Sequence, residues 1–321
     1  MEATLSAAQA QQILERIHIR GLISVKLLKR HNHVFEITTG EKVLYLKTYT
    51  KDWYAGTDGS GAAQHEAGGF AALSARGIPA PRVVLLETTG QNPIRRPFLL
   101  TEQLRGRPLT QLLQESKPED FRALLRATAQ RLRQYHGIVF RFPGYVGDAE
   151  GPQAPPTQDG WLHFYCSAER MQREVLKWLE NDRRYLPAKL FEQLHDRFST
   201  IEKALAPEYA PARFIQGDCH AHQFFLFNAD GQWQVSGSVD MEVAAAGAPI
   251  CDLLKFCAEM AEDFSVQTRW WEPLFEGYGG APDFERFRLL FLSNDWDART
   301  DVQLVPRRLT AQTWEQLFNK S

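Results

Sequence analysis

The first hundred residues carry short runs of apolar and β-branched residues that alternate with polar turns. Three such runs lie close together, at 24–28, 34–37 and 43–47. This spacing predicts antiparallel hairpins. Two further strands are predicted at 82–87 and 97–103, so the pattern as a whole indicates a small antiparallel sheet.

Two helices are predicted in the same part of the chain. Leu5, Ile13 and Ile17 are separated by alanines and glutamines, which indicates a short amphipathic helix at the start of the chain. A second helix is predicted at 64–75, because a glycine and two prolines follow it as a stop signal. The glycine-rich stretch at 53–63 is predicted to be a loop.

Beyond residue 103 the apolar residues recur with a helical spacing. The segment 104–108 breaks the last strand, so we predict two lobes, 1–103 and 104–321. The first lobe is strands with one main helix, and the second is larger and mostly helical. Helices are predicted at 118–136, 162–181 and 188–206 and after residue 254, with a Gly- and Pro-rich loop at 142–160.

A hairpin interrupts this helical part. Asp230 and Gly231 form a turn between two apolar runs, which is a strong hairpin signal. Asp218 precedes the first arm and Asp240 follows the second, so the closed hairpin brings them close together. Two neighbouring carboxylates repel each other unless a cation lies between them. Capping and salt bridging are the alternative roles for these aspartates when they are taken alone.

Composition narrows the classes of function. The chain has 321 residues, 44% of them hydrophobic and 24% charged, and a net charge of −2. This balance gives no electrostatic argument for nucleic-acid binding, which needs a basic face. No apolar run approaches the ~18 residues of a membrane span, and the first 17 residues lack the features of a secretory signal. The four cysteines form no C-x-x-C motif, so we expect a reducing, cytoplasmic setting.

Five short motifs occur in an order typical of one family. They are Leu44-Tyr45-Leu46-Lys47, Glu66 followed by Gly77-Ile78-Pro79, Phe98 to Gly106, Gly217-Asp218 with Gln223, and Val239-Asp240-Met241-Glu242 with Gly247-Ala248-Pro249 and Asp252-Leu253. Together they resemble the aminoglycoside phosphotransferase and choline-kinase branch of the protein-kinase-like fold. The resemblance covers residues 24–255. It implies an α+β, two-lobed kinase-like fold and the transfer of a phosphoryl group.

The resemblance also implies a nucleotide site. Lys47 would contact the α- and β-phosphates of ATP or another nucleoside triphosphate, and Glu66 would fix the direction of that lysine. The backbone of the segment between the lobes would hold the base. That segment consists of Thr101, Glu102, Gln103 and Leu104.

Three further residues carry the chemistry that the resemblance implies. Asp218 would accept the proton of the attacking hydroxyl, or orient it. Gln223 and Asp240 would hold magnesium, which prefers hard oxygen ligands. Gln216 replaces the usual histidine of this loop, and Gln223 is one methylene longer than the usual asparagine.

The resulting hypothesis is an ATP- and Mg²⁺-dependent kinase that phosphorylates a hydroxyl of a small polar molecule, such as an aminoglycoside, another sugar or an amino alcohol. One alternative is a kinase for a glycan or a lipid-linked sugar. The other is a pseudokinase that binds nucleotide without turnover, which the two glutamines suggest. A protein kinase is disfavoured, because no Ala-Pro-Glu activation segment follows Asp240. The sequence does not indicate an oligomeric state.

Overall fold

The predicted hairpins form one five-stranded antiparallel sheet. The computed structural model describes residues 5–29, 32–50, 59–153, 167–294 and 304–320. The strands of this sheet, in the order β1-β2-β3-β5-β4, are β1 (Leu22–Lys29), β2 (Val34–Thr39), β3 (Val43–Thr48), β4 (Val83–Glu87) and β5 (Phe98–Glu102). All of their pairings are antiparallel.

Helix α1 (Ala7–Arg16) covers one face of this sheet. It begins with a capping box in which Ser6 and Gln9 satisfy each other's backbone amides. Its buried residues Ile13 and Leu14 join Ile37 and Leu44 of the sheet in a separate small core. The amphipathic helix predicted at the start of the chain is therefore confirmed.

Helix α2 (Ser60–Ser74) begins four residues earlier than predicted. The loop predicted at 53–63 is wrong for residues 60–63, and residues 53–58 lie outside the described part of the chain. Close packing explains one glycine of this stretch. Gly59 precedes the helix with φ +88°, and a Cβ there would lie 2.7 Å from the Cβ of Tyr49. Gly59 therefore lets the start of the helix lie close to Tyr49.

The part of the chain after residue 104 is mostly helical. Its helices are α3 (Leu109–Glu115), α4 (Pro118–His136), α5 (Ala168–Asp182), α6 (Ala188–Phe198), α7 (Ile201–Leu205), α8 (Ile250–Asp263), α9 (Trp271–Tyr278), α10 (Phe284–Asn294), α11 (Leu304–Thr310) and α12 (Trp314–Phe318). Helix α3 was not predicted. The start of the helix predicted at 162–181, and the end of the loop predicted at 142–160, lie outside the described residues.

Two three-stranded sheets lie among these helices. Their strands are β6 (Arg107–Pro108), β7 (Gly144–Tyr145), β8 (Arg213–Ile215), β9 (Phe224–Ala229), β10 (Gln232–Ser238) and β11 (Ala245–Gly247). One sheet has the order β10-β9-β6 and the other β7-β11-β8. Strands β9 and β10 are the predicted hairpin, paired from Ala229 and Gln232 at the turn to Phe224 and Ser238 at the open end.

The main hydrophobic core joins α2 to the helical part of the chain. Buried Phe70 of α2 and Leu99 of β5 belong to the same cluster as Leu124 of α4 and Phe256 of α8. The position of α2, and of the polar residues it carries, is therefore coupled to the helices behind it. Within the described residues, no helix is both long and apolar enough to cross a membrane.

Candidate active site

The open end of the β9–β10 hairpin joins the two aspartate-bearing loops. The amide of Val239 donates to the carbonyl of Gln223 at 3.0 Å, just beyond the last strand pair. The end of the Asp218 loop therefore lies beside the start of the Asp240 loop. The hairpin holds the two loops side by side, as the turn signal predicted.

Lys47 of β3 lies at the centre of three carboxylates. Its Nζ is 2.7 Å from Glu66 Oε2 and 3.5 Å from Glu242 Oε2, and it also contacts Asp240 Oδ1. Burial lowers the pKa of Lys47, but the three negative charges outweigh that effect and raise it above its ordinary value. The side chain is therefore a fixed, fully charged ammonium.

Glu66 is buried and is held by two further donors. Its Oε2 accepts from the hydroxyl of Tyr49 at 2.5 Å, and its Oε1 accepts from the amide of Asp240 at 3.1 Å. The glutamate therefore connects the lysine strand to the aspartate loop through α2. The ion pair between Lys47 and the helix glutamate that the resemblance implied is present in the structure.

Asp240 adopts a left-handed backbone conformation, with φ 65°. Asp tolerates this conformation better than most residues do. Its Oδ2 lies 3.5 Å from Lys29 Nζ, while its Oδ1 contacts Lys47. Burial raises the pKa of Asp240, but the charge and hydrogen bond of Lys47 outweigh it and hold the pKa well below its usual range. Asp240 is thus ionised.

A set of carboxylate oxygens suited to a divalent cation lies at this point. One oxygen from each of Glu66, Asp240 and Glu242 falls within 4.8 Å of the others. Asn32 donates to Glu242 Oε2 at 2.8 Å and so orients it. Hard oxygen donors of this kind are what Mg²⁺ takes in proteins. The chemistry of these donors suits the metal that the resemblance implies, and in the structure the Lys47 ammonium contacts all three carboxylates.

Gln223 lies in the interior of the loop. Its Oε1 accepts from the side-chain amide of Gln216, which also donates to the carbonyl of Val239 at 3.0 Å. Its Nε2 lies 3.2 Å from His220 Nε2. The two glutamines that depart from the family pattern are therefore partners, and together they brace the loop.

Asp252 organises the start of the same loop. Its carboxylate accepts from the amides of Gln216 at 2.7 Å and Gly217 at 2.8 Å, and it lies 3.1 Å from His136 Nε2. Gly217 has φ +85°, and a Cβ there would lie 2.4 Å from the carbonyl oxygen of Val243. The loop therefore requires both the buried carboxylate and the glycine.

Asp218 is held by two basic side chains. Lys255 Nζ lies 3.3 Å from its Oδ1, and His220 Nε2 lies 3.4 Å from its Oδ2. Burial raises the pKa of Asp218, but these two partners outweigh it and lower the pKa overall. The carboxylate therefore stays ionised and oriented near neutral pH.

A cavity of about 450 Å³ opens beside Lys47 and Asp240. The predicted base-binding residues Thr101, Glu102, Gln103 and Leu104 all line it. Tyr45 and Phe225 add aromatic surface to the same cavity. The cavity has the size of a typical small-ligand site, and its charged end coincides with the lysine and the carboxylates.

The sequence reasoning missed several groups of this site. Glu242 was part of a motif but was given no role, although its position two residues after Asp240 was a signal. The motifs give His220 no role, although it lies two residues after Asp218. Lys255 and Glu259 carried no signal, because their contacts depend on how α8 packs against the loop.

The comparisons with known proteins agree with this geometry. The sequence profile of the phosphotransferase enzyme family matches residues 26–290. The chain belongs to this family, as the sequence motifs indicated. No curated protein sequence matches the chain significantly.

Solved structures identify the fold. A protein from Ralstonia eutropha, described as an aminoglycoside phosphotransferase, superimposes with a TM-score of 0.59 at 14% identity, over 98% of this chain and 93% of its own. An aminoglycoside 2′-phosphotransferase of type IIIa, in complex with GDP, gives a TM-score of 0.62 at 16% identity, over 94% and 88%. The aminoglycoside phosphotransferase APH(4)-Ia, with ADP and hygromycin B, gives 0.57 at 13% identity, over 90% and 88%. The predicted protein-kinase-like fold is confirmed.

Proposed function

We propose that the protein transfers the γ-phosphate of ATP, in a Mg²⁺-dependent reaction, to a hydroxyl of a small polar molecule such as an aminoglycoside, another sugar or an amino alcohol. One observation carries this proposal. Lys47 is ion-paired to Glu66 on α2 and to Asp240 after the hairpin, at the charged end of a ligand-sized cavity. Membership of the phosphotransferase family supports the same reaction class.

The cavity supports a nucleotide as the donor. Its apolar and aromatic lining, including Tyr45, Leu104 and Phe225, suits a planar base, and the Lys47 ammonium suits phosphate oxygens. Two of the structural relatives named above hold GDP or ADP. We assign base binding to the backbone of Thr101 to Leu104 and phosphate binding to Lys47, with Glu66 holding that lysine in place.

For the metal we assign Asp240 as the main ligand, and Gln223 remains the predicted second ligand. When bound, Mg²⁺ would neutralise charge on the β- and γ-phosphates. The ionised state of Asp240 and the adjacent carboxylates of Glu66 and Glu242 support this assignment. In the structure Gln223 is engaged with Gln216, so its amide oxygen must reorient to reach a metal.

Asp218 is assigned as the catalytic carboxylate. The acceptor hydroxyl oxygen forms a bond to the γ-phosphorus, the bond from that phosphorus to the bridging oxygen breaks, and the hydroxyl proton passes to Asp218. Because its pKa is lowered, Asp218 is a weak base, so its main contribution is to orient the hydroxyl until the proton becomes acidic. Lys255 and His220 keep the carboxylate in place.

The ligands of structural relatives support the proposed acceptor class. Two of them hold hygromycin B or kanamycin together with a nucleotide, and this supports a small polar acceptor. A glycan or lipid-linked sugar stays an alternative acceptor. The engagement of Gln223 with Gln216 favours one further candidate, a pseudokinase that binds nucleotide without turnover.

One experiment separates these proposals. ATP is added to the wild-type protein with Mg²⁺ or with EDTA, and the melting temperature and phosphate release are measured. A kinase is expected to show a Mg²⁺-dependent rise in melting temperature and slow hydrolysis that accelerates with an acceptor from a panel of aminoglycosides, sugars and amino alcohols. A pseudokinase shows the rise without hydrolysis, and the absence of any rise contradicts both.

A further inference from the structure

A second lysine besides Lys47 lines the charged end of the cavity. Lys29 is the last residue of β1, and it pairs with Val34 of β2 beside the turn between the two strands. Its Nζ lies 3.5 Å from Asp240 Oδ2, whereas Lys47 contacts the other oxygen, Oδ1. Two ammonium groups therefore meet at the carboxylate that is assigned to the metal.

The turn between β1 and β2 offers side chains rather than glycines. Residues 30–33 contain no glycine. A phosphate can be bound by the backbone N–H groups of a glycine-rich turn, or by cationic side chains. Because this turn lacks glycine and the lysine before it lines the cavity, the chain is equipped for the second kind of binding.

A hydrogen bond attaches the same turn to the loop of Asp240. Asn32 is buried and has φ 41°, a backbone conformation that Asn tolerates. Its side-chain amide donates to Glu242 Oε2 at 2.8 Å, two residues after Asp240. The end of β1 is therefore held next to the carboxylates by Asn32, and Lys29 does not depend on its own ion pair for its position.

The ion pair of Lys29 is weak enough to be exchanged. The side chain of Lys29 is 58% exposed, and exposed ion pairs contribute little to stability. Lys47, in contrast, is mostly buried and also contacts Glu66 and Glu242. Replacing the Asp240 oxygen by a phosphate oxygen therefore costs Lys29 little.

We propose that Lys29 is a nucleotide-binding residue that contacts the terminal phosphates of a nucleoside triphosphate, while Lys47 contacts the phosphates nearer the base. This inference deepens the proposed function and rests on it, because the nucleotide in this cavity is itself proposed. Mg·ATP carries a net negative charge, and two ammonium groups offset that charge better than one does.

The test removes the ammonium group and keeps the rest of the side chain. Lys29→Met retains an aliphatic chain against the cavity wall, and Lys29→Arg restores a cation that binds phosphate. We expect the affinity for Mg·ATP, measured by isothermal titration calorimetry, to fall roughly tenfold in Lys29→Met. In Lys29→Arg it should stay within about threefold of wild type.

AMP separates a phosphate contact from a change in cavity shape. AMP has the base and the first phosphate but lacks the terminal ones, so its affinity in Lys29→Met, measured by competition with Mg·ATP, should stay within about twofold of wild type. An equal loss for AMP and ATP would show that the substitution disturbs the cavity, and it would overturn the proposal.

Lys26 provides a matched control on the same strand. It pairs with Glu36 of β2 and is not among the described residues that line the cavity. Lys26→Met removes the same charge from the same strand, and we expect it to change the affinity for Mg·ATP by less than about twofold. Equal losses in Lys26→Met and Lys29→Met would reduce the effect to net charge and overturn the proposal.

The opposite role for Lys29 predicts the opposite sign. If Lys29 served only as a counter-ion of Asp240, Lys29→Met would remove a cation that competes with Mg²⁺, and the affinity for Mg·ATP would stay the same or rise. Either result overturns the proposal. The melting temperature without ligand should stay close to wild type, because the ion pair is exposed.

The same titrations separate this inference from the proposed function. Binding is measured without turnover, so a wild-type protein that binds Mg·ATP but transfers no phosphate contradicts the proposed reaction, while Lys29→Met still decides the role of Lys29. A wild-type protein that binds no ATP contradicts the nucleotide donor, and with it this inference. A loss confined to Lys29→Met and to ATP supports both the nucleotide site and its second lysine.

Discussion

At the scale of single residues, the site is built around a buried positive charge. Lys47 contacts Glu66, Asp240 and Glu242, and only 13% of its side chain is exposed. Removing one partner of a buried ion pair leaves the other charge uncompensated. Substitutions here therefore disturb the fold as well as ligand binding, and shape-conserving variants are needed to separate the two.

The proposed metal role of Asp240 predicts a loss of Mg·ATP affinity. Asp240→Asn keeps the left-handed backbone, which Asn tolerates, but removes the charged oxygen. We expect the affinity for Mg·ATP, measured by isothermal titration calorimetry, to fall at least about tenfold. The control is Asp230→Asn at the opposite end of the same hairpin, where φ is 52°. Equal affinities of the two variants would contradict the assignment.

The lowered pKa of Asp218 predicts a pH dependence. Burial raises that pKa, whereas His220 and Lys255 lower it. The carboxylate is therefore ionised above its depressed folded-state pKa, and activity that depends on it falls as pH drops through that value. Lys255→Met removes one cationic partner, so the acid limb of kcat/KM is expected to move to higher pH. A limb that stays in place, or moves to lower pH, would show that Asp218 does not govern it.

The contacts that lower the pKa of Asp218 also make the free energy of unfolding depend on pH. Because the folded-state pKa of Asp218 is depressed, its contribution to the free energy of unfolding is present above the unfolded-state pKa and is lost as pH falls through the folded-state pKa. Partial exposure of the group to solvent screens this contribution. Measurements of turnover are therefore more sensitive to the loss of the Lys255 charge than measurements of thermal stability are.

The motifs of the sequence lead to much of this site, and distant packing accounts for the rest. Lys47, Glu66 and Asp240 stand in short local patterns, and the structure brings their side chains into contact. The pair of His220 and Glu259 has no local pattern, because it depends on the packing of α8 against the loop. Local spacing carries no information on such a contact.

At the scale of elements, local signals predict those whose ends are marked. Helix α4 begins at a proline, carries two acids in its first turn, and has the predicted bounds Pro118–His136. The hairpin of β9 and β10 follows from its Asp-Gly turn. The start of α2 was predicted wrongly, because a glycine that caps a helix in close contact, such as Gly59 beside Tyr49, resembles a glycine of a loop.

Substitution of Gly106, which immediately precedes β6, is expected to lower the stability of the protein strongly. Gly106 has φ +95°, and a Cβ there would lie 2.0 Å from the carbonyl oxygen of Leu226 in β9. Gly106→Ala is expected to lower the free energy of unfolding by about 3 kcal/mol, measured by urea denaturation.

The matched control for this prediction is Gly77→Ala. Gly77 also has a positive φ, +69°, but no atom lies within 4 Å of a Cβ placed there. Only the backbone cost remains, roughly 1–2 kcal/mol. Equal losses in the two variants would show that the contact with Leu226 is not what Gly106 relieves.

At the scale of the whole molecule, α2 connects the sheet to the helical part. It contributes Glu66 to the site, and its buried Phe70 lies in the main core with Leu99, Leu124 and Phe256. The lobe boundary after residue 103 stays a prediction. The kinase-like fold was predicted because the five motifs, in their order along the chain, resemble one family.

We propose that this site transfers phosphate through Asp218 while Lys47 and Asp240 hold the nucleotide. The most direct test measures Mg·ATP hydrolysis and Mg·ATP affinity side by side in wild type and in Asp218→Asn. We expect hydrolysis to fall by at least about 100-fold, the scale of a positioned acid–base group, while affinity stays within about twofold. Hydrolysis that persists in Asp218→Asn at the wild-type rate would contradict it.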